Sequence, residues 1–168
     1  MMIHIAAQDT QSNLTNVELT DIQPNAVDLR VDKIFHINFI KPFVLGEKDG
    51  KEFKEHRGST EMKVDDEGYW YLVPGAYEIV MENIIQVGDD EAGWVITRST
   101  LNRNGLFITS GLYDSGYHGV MAGALHVTAP ARIKKGSRVG QFLLFKSQSL
   151  KKYDGDYGIG KTHDQKYI

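Results

Sequence analysis

The sequence predicts an all-β fold, a barrel or sandwich of short strands with one short helix. Three observations carry this reading. The apolar segments are short and rich in Val, Ile, Tyr, Phe and Trp. Gly, Pro, Asn or Asp stands between most of them. No long helical pattern alternates with the strands, which argues against a βαβ arrangement. The 168 residues correspond to one domain, and 41% apolar against 24% charged residues is enough to bury a core without staples.

In chain order the strand candidates are Val27–Ile34, Tyr69–Val73, Tyr77–Met81, Trp94–Thr97, Leu106–Thr109, Val120–Val127 and Val139–Phe145. Residues 9–20 have room for about one turn of irregular helix. Arg98–Asn104 reads as the one short helix, with Ser99 near its start and Gly105 as its stop. Between residues 46 and 67 the only large apolar side chains are Phe53, Met62 and Val64, so that stretch reads as an exposed hairpin or loop insertion. No internal repeat is present.

Composition removes several chemistries. With no cysteine there is no disulfide, thiolate metal site or cysteine nucleophile. No apolar run reaches the roughly 18 residues of a membrane span. The first twenty residues hold no Lys or Arg, which argues against a secretory leader and makes a cytoplasmic location the expectation. The net charge of −3 hides an asymmetry: residues 1–130 carry −9 and residues 131–168 carry +6. A basic tail on an acidic body suits a nucleic-acid arm, a phosphate-binding segment or an unevenly charged surface.

Five segments combine glycine with polar groups: Pro24–Arg30 (PNAVDLR), Arg98–Gly105 (RSTLNRNG), Gly111–Gly119 (GLYDSGYHG), Gly136–Gln141 (GSRVGQ) and Tyr153–Lys161 (YDGDYGIGK). Glycine permits close backbone approach, and successive N–H groups at such turns hold phosphate oxygens. A helix starting at Ser99 would aim N–H groups at an anion beside Arg98. None of the segments is a Walker loop, because the GxxxxGK[ST] spacing is missing.

Together and in this order the segments resemble the motifs of the trimeric dUTPase and dCTP deaminase superfamily, over about residues 22–161. RSTLNRNG is similar to the second motif in its deaminase form. GLYDSGYHG is similar to the third, with an Asp three residues before an aromatic and five before a glycine. The resemblance implies a distorted, jelly-roll-like β-barrel of the dUTPase type over residues 1–150. It also implies a homotrimer with sites between subunits, and a mobile, glycine-containing C-terminal arm over 151–168 that closes on bound triphosphate.

The superfamily has two chemistries, and the residues discriminate between them. A deaminase needs a carboxylate to move protons between water, the pyrimidine ring and ammonia. The resemblance places that glutamate ten residues after Asp114, where this chain has Ala124. His126, two residues on, faces the same side of a strand and is the one local substitute. The diphosphatase cleaves between the α- and β-phosphates and needs an oriented water and cations for a charged transition state. By resemblance Asp114 activates that water, Tyr117 stacks on the deoxyribose, and Ser99, Arg98 and Gln141 contact phosphate oxygens. Arg103 matches a phosphate-proximal deaminase position and is counted with Asp114 and Ser99 as catalytic. Thr100, Ser110, Gly111, Ala122, Gly123 and Ala124 are further substrate-binding candidates, with Tyr153, Gly158 and Lys161 from the arm. Asp28 is expected to place Mg²⁺ through water, unless it simply pairs with Arg30.

The expected activity is a Mg²⁺-dependent deoxynucleoside triphosphate diphosphatase acting on dUTP, with neither nucleic acid nor a membrane as partner. A dCTP deaminase and a catalytically silent nucleotide-binding trimer are the alternatives. Two features stand apart from the resembling dUTPases. The third motif reads Asp114–Ser115–Gly116–Tyr117 in place of Asp-x-Asp-Tyr, and the stretch from Gly105 to Asp114 is about two residues short, so base preference stays open between uracil, cytosine and a modified pyrimidine.

Overall fold

The computed structural model describes residues 1–168. The elements run β1 (Met2–Ile3), β2 (Asn13–Leu14), a 3-10 turn Leu19–Asp21, β3 (Val27–Ile37), β4 (Val44–Lys48), β5 (Lys51–Glu55), β6 (Ser59–Glu61), β7 (Tyr69–Leu72) and β8 (Gly75–Gln86). They continue with β9 (Glu91–Thr97), α1 (Ser99–Arg103), β10 (Leu106–Thr109), β11 (His118–Val127), β12 (Ala131–Lys134), β13 (Arg138–Lys146) and a second 3-10 turn, Thr162–Tyr167. No helix is long and apolar enough to cross a membrane.

A nine-stranded antiparallel sheet in the order β1-β13-β3-β8-β11-β10 forms the body, with β2 on β8, β6 on β3 and β9 on β13. β3 is its pivot. Its first half pairs with β13 (Asp28↔Gln141) and its second half with β8 (Ile34↔Ile79), and an irregularity between Val31 and Lys33 turns the strand from one partner to the other. Alternate residues of β3, β8, β11 and β13 point inward, so Leu29, Ile34, Ile79, Met121, Leu125, Phe142 and Leu144 are almost fully buried in one core. This is the jelly-roll-like barrel with one short helix that the sequence predicts.

The short helix stands where the glycine punctuation puts it. Arg98 has extended backbone at its N-cap, and Gly105 leaves it with φ +74. A side chain at 105 would collide with Thr128, whose N–H and hydroxyl both donate to the Gly105 carbonyl.

Two local expectations need correction. Residues 9–20 hold no helical turn beyond the start of Leu19–Asp21, because Asn13 and Leu14 are drawn into pairing with β8. Arg30 then pins that turn, bridging Asp21 at 2.7 Å and Glu18 at 3.0 Å. β8 runs twelve residues, well beyond Met81. Asn83 interrupts its apolar pattern yet is buried, since its amide donates to the Thr15 and Asn16 carbonyls at 2.9 and 3.2 Å.

β4 and β5 form a separate hairpin of exposed residues, turned by Asp49–Gly50 with positive φ at both positions. The chain after β13 returns along the barrel. Tyr153 N–H donates to Ser115 O at 2.8 Å, Ile159 N–H to His118 O at 2.9 Å, and Tyr167 packs edge-on against Phe35.

Candidate active site

Two groups of polar residues emerge from the strand register. The first is built where β3 meets β13 and β13 meets the start of α1. Gln141 lies opposite Asp28, and the Arg98 N–H donates to the Val139 carbonyl at 3.1 Å. Asp28 is wholly buried. Its Oδ2 receives Arg98 Nε and Arg138 Nη1, each at 3.3 Å, and its Oδ1 receives Gln141 Nε2 at 3.0 Å. Charged groups this deep require such pairing. Arg30 does not pair with Asp28; it turns to Asp21. The Asp28 carboxylate therefore holds two guanidinium groups and an amide, and with no exposed surface it offers nothing to a hydrated cation. Its geometry does not fit the water-mediated metal role. No three acidic or histidine side chains anywhere in the chain gather to hold a metal. Ser99 and Thr100 are exposed on the first turn of α1, and Arg103 is exposed at its far end.

The second group surrounds a cavity of about 450 Å³ between the β10–β11 connection and the C-terminal segment. A volume of that size suits a small organic ligand. Gly111, Leu112, Tyr113, Tyr117, Ala122 and Gly123 line one side, and Tyr153, Tyr157, Asp164 and Tyr167 the other. Tyr117 is 6% exposed, its hydroxyl donates to the Val120 carbonyl at 2.9 Å, and its ring meets Tyr113 and Tyr153 edge-on. Tyr113 donates to the Ala122 carbonyl at 3.1 Å. Burial pushes both phenols up, so they stay neutral donors. Ser110 accepts from the Val95 N–H at 3.3 Å and donates to the Gly111 carbonyl at 2.9 Å, which fixes the entry to the hairpin.

Asp114 is exposed and lines a neighbouring groove with Ser115 and residues 147–155. Leu112 and Tyr153 belong to both spaces and form the wall between them. The Asp114 carbonyl accepts from Tyr117 N–H at 3.0 Å, so one tight turn presents the carboxylate and the aromatic ring from adjoining surfaces. None of the Asp28 cluster lines the cavity.

The remaining candidates fall as follows. Ala124 lies between Thr109 on β10 and Glu78 on β8. His126 stacks on Phe107 and shares a hydrogen bond with Thr109, so it is held away from the cavity. Gly158 is buried against the His118 carbonyl with φ +117, and its N–H donates to Asp164 at 2.6 Å. Lys161 is exposed. The sequence reading missed Arg138, Tyr113, Asp164 and Glu78. The first two sit inside segments already singled out. The last two had no signal, because only folding brings them to the cavity.

Residues 2–147 match the family model described as dCTP deaminase-like. The chain belongs to this family. Among curated relatives, a probable deoxyuridine 5'-triphosphate nucleotidohydrolase of Halobacterium salinarum is 31% identical over 143 residues, covering 84% of this chain and 85% of the relative. One of Methanopyrus kandleri is 32% identical over 141 residues, covering 81% and 86%. The deoxyuridine 5'-triphosphate nucleotidohydrolase of Methanocaldococcus jannaschii is 29% identical over 159 residues, covering 91% and 97%. Solved structures share the dCTP deaminase-like fold at low identity. The 2'-deoxycytidine 5'-triphosphate deaminase of Agrobacterium tumefaciens aligns with a TM-score of 0.57 at 15% identity, over 79% of this chain and 43% of that one. A variant dUTPase of Staphylococcus bacteriophage 80alpha with dUpNHpp aligns at 0.51 and 12%, over 87% and 97%.

Proposed function

We propose that this member of the dCTP deaminase-like family hydrolyses dUTP to dUMP and pyrophosphate. The observation that carries the reading is the pairing of a carboxylate on a tight turn, Asp114, with the cavity of about 450 Å³ walled by Tyr117 behind the same turn. The archaeal dUTP nucleotidohydrolases that cover most of the chain support it.

In this reading the uracil enters between Gly111 and the Ala122–Gly123 strand, where backbone groups read its edge. Tyr117 packs on the deoxyribose and leaves no room for a 2'-hydroxyl. Asp114 orients a water molecule toward phosphorus, takes its proton as the new P–O bond forms, and pyrophosphate leaves. Arg98 and Arg138, set in place by Asp28, take the charge that builds on the phosphate oxygens, with Gln141 and the first turn of α1 as further donors. Mg²⁺ bound with the nucleotide would supply charge neutralisation at the phosphates, beside Arg98, Arg138 and Gln141.

None of the phosphate-cluster residues lines the cavity, and in this reading the cluster of one copy stands beside the cavity of the next. A cyclic trimer supplies this three times over. Product analysis with dUTP, dCTP, dTTP and dATP in Mg²⁺ tests the reading. Release of dUMP and pyrophosphate supports it; ammonia from dCTP, or no turnover of any pyrimidine deoxynucleotide, refutes it.

A further inference from the structure

Glu78 lies in the strand candidate Tyr77–Met81 but in none of the five glycine-containing segments, yet it lines the nucleoside cavity. It sits on β8 directly across from Ala124 on one side and Phe35 on the other, facing away from the main core. Residues opposite one another in an antiparallel pair project to the same face.

Its carboxylate is filled by donors of this chain. Ser59 Oγ donates to Oε2 at 3.1 Å, and Lys166 Nζ lies 3.0 Å from Oε2 and 2.9 Å from Oε1. The Tyr167 hydroxyl donates to Oε1. Lys33 reinforces the arrangement from β3, its ammonium donating to the Tyr167 carbonyl at 2.8 Å, and Lys166 also lies over the Phe35 ring. Burial raises the Glu78 carboxyl, but the hydrogen bonds from Tyr167 and Lys166 outweigh it and hold the group below its usual range, so it is an anion at neutral pH.

The segment tied down here is the one that contributes Tyr157, Asp164 and Tyr167 to the cavity wall. About 450 Å³ remains inside with the segment in place, so it roofs the space and does not plug it. We propose that Glu78 is a positioning residue for nucleotide hydrolysis: it is the catch on which residues 157–167 close over the nucleoside. The occupant of the cavity rests on the dUTP reading; the catch itself rests on the contacts. With its oxygens taken by Ser59, Lys166 and Tyr167, Glu78 acts through the segment. Loosening the catch lowers the closed fraction, and apparent affinity falls by that same fraction. Asp114 lies in the neighbouring groove, so turnover at saturation is largely spared.

The test uses the full chain and the variants Glu78→Gln, Tyr167→Phe and their combination. Trypsin cleavage after Lys161 and Lys166 reads segment opening without turnover, and steady-state hydrolysis of dUTP reads function. Each single variant is expected to speed cleavage and raise KM by about tenfold, with kcat within about twofold. The combination should cost less than the sum of the two, because both variants weaken the shared Glu78–Tyr167 contact. Wild-type cleavage rates and KM in both single variants overturn the proposal, as does a fall in kcat at unchanged KM or full additivity in the combination. Tyr167→Phe lies near the chain end and keeps the test open if Glu78→Gln folds poorly. A wild-type protein that makes no dUMP refutes the dUTP reading alone, since cleavage still judges the catch.

Discussion

Asp28→Asn probes the phosphate cluster at its centre. The change keeps the side chain's shape and removes its charge, leaving Arg98 and Arg138 without a counter-ion 3.3 Å away. An uncharged amide oxygen in the Oδ2 place can still accept from both guanidinium groups, but the new NH₂ then faces the Gln141 Nε2 donor. Breaking a buried ion pair from one side costs about 3–5 kcal/mol. Asp28 is fully buried but the Arg98 and Arg138 side chains are 29% and 34% exposed, so water relieves part of the loss. The lower end of that range, about 3 kcal/mol, is the expected cost. For a chain of this size it corresponds to a fall in melting temperature of about 6–12 °C. Urea unfolding should show the same loss as a lower midpoint at unchanged slope. The freed guanidinium groups also lose their orientation toward phosphate, so kcat/KM should fall further than stability alone explains at a temperature where the variant is folded. A variant within about 0.5 kcal/mol of wild type, with normal kinetics, would refute the role given to Asp28.

Other outcomes follow from the same structure. Mixing Arg98→Ala with Asp114→Asn, each inactive alone, should restore about a quarter of wild-type activity if random trimers place the two halves on neighbouring copies; sites built within one chain would restore none. Glu91, wholly buried, is held at about 2, below its ordinary 4.5: burial pushes it up, but Ser12, the Gln11 N–H, Lys146 and Thr10 outweigh this. Because the folded value is depressed, its stabilisation of about 3 kcal/mol is present above pH 4.5 and drains away toward pH 2, so Glu91→Gln should flatten that acid limb in melting experiments. At Gly123 an added Cβ would strike the Thr109 carbonyl across β10 and β11, so Gly123→Ala should raise KM for dUTP and cost about 1–3 kcal/mol in urea unfolding.

The fold class was legible because β10, β11, β13 and α1 each carry their own turn or glycine boundary. Leu106–Thr109 could be read off as a strand directly. β1, β2 and β6 could not, since two or three residues carry no periodicity and exist as strands only through their partners. The far half of β8 was hidden by Asn83, whose burial depends on carbonyls almost seventy positions away. At the candidate site, Asp28, Arg98 and Gln141 could be named one at a time. That they meet follows from the β3–β13 register, and that the Asp28 carboxylate is spent on arginines follows from Arg138, which lies within GSRVGQ but carried no role there. Glu78 was out of reach for a related reason. Its position across from Ala124 is a fact about pairing between strands some forty residues apart.

The central claim is that the Asp114 carboxylate activates the attacking water. Its most direct test is single-turnover hydrolysis of dUTP in Mg²⁺ by wild type and Asp114→Asn, with nucleotide binding measured alongside. Loss of the base should slow the chemical step by about 10²–10⁴-fold while binding changes little. A variant that cleaves dUTP at close to the wild-type rate would contradict the account.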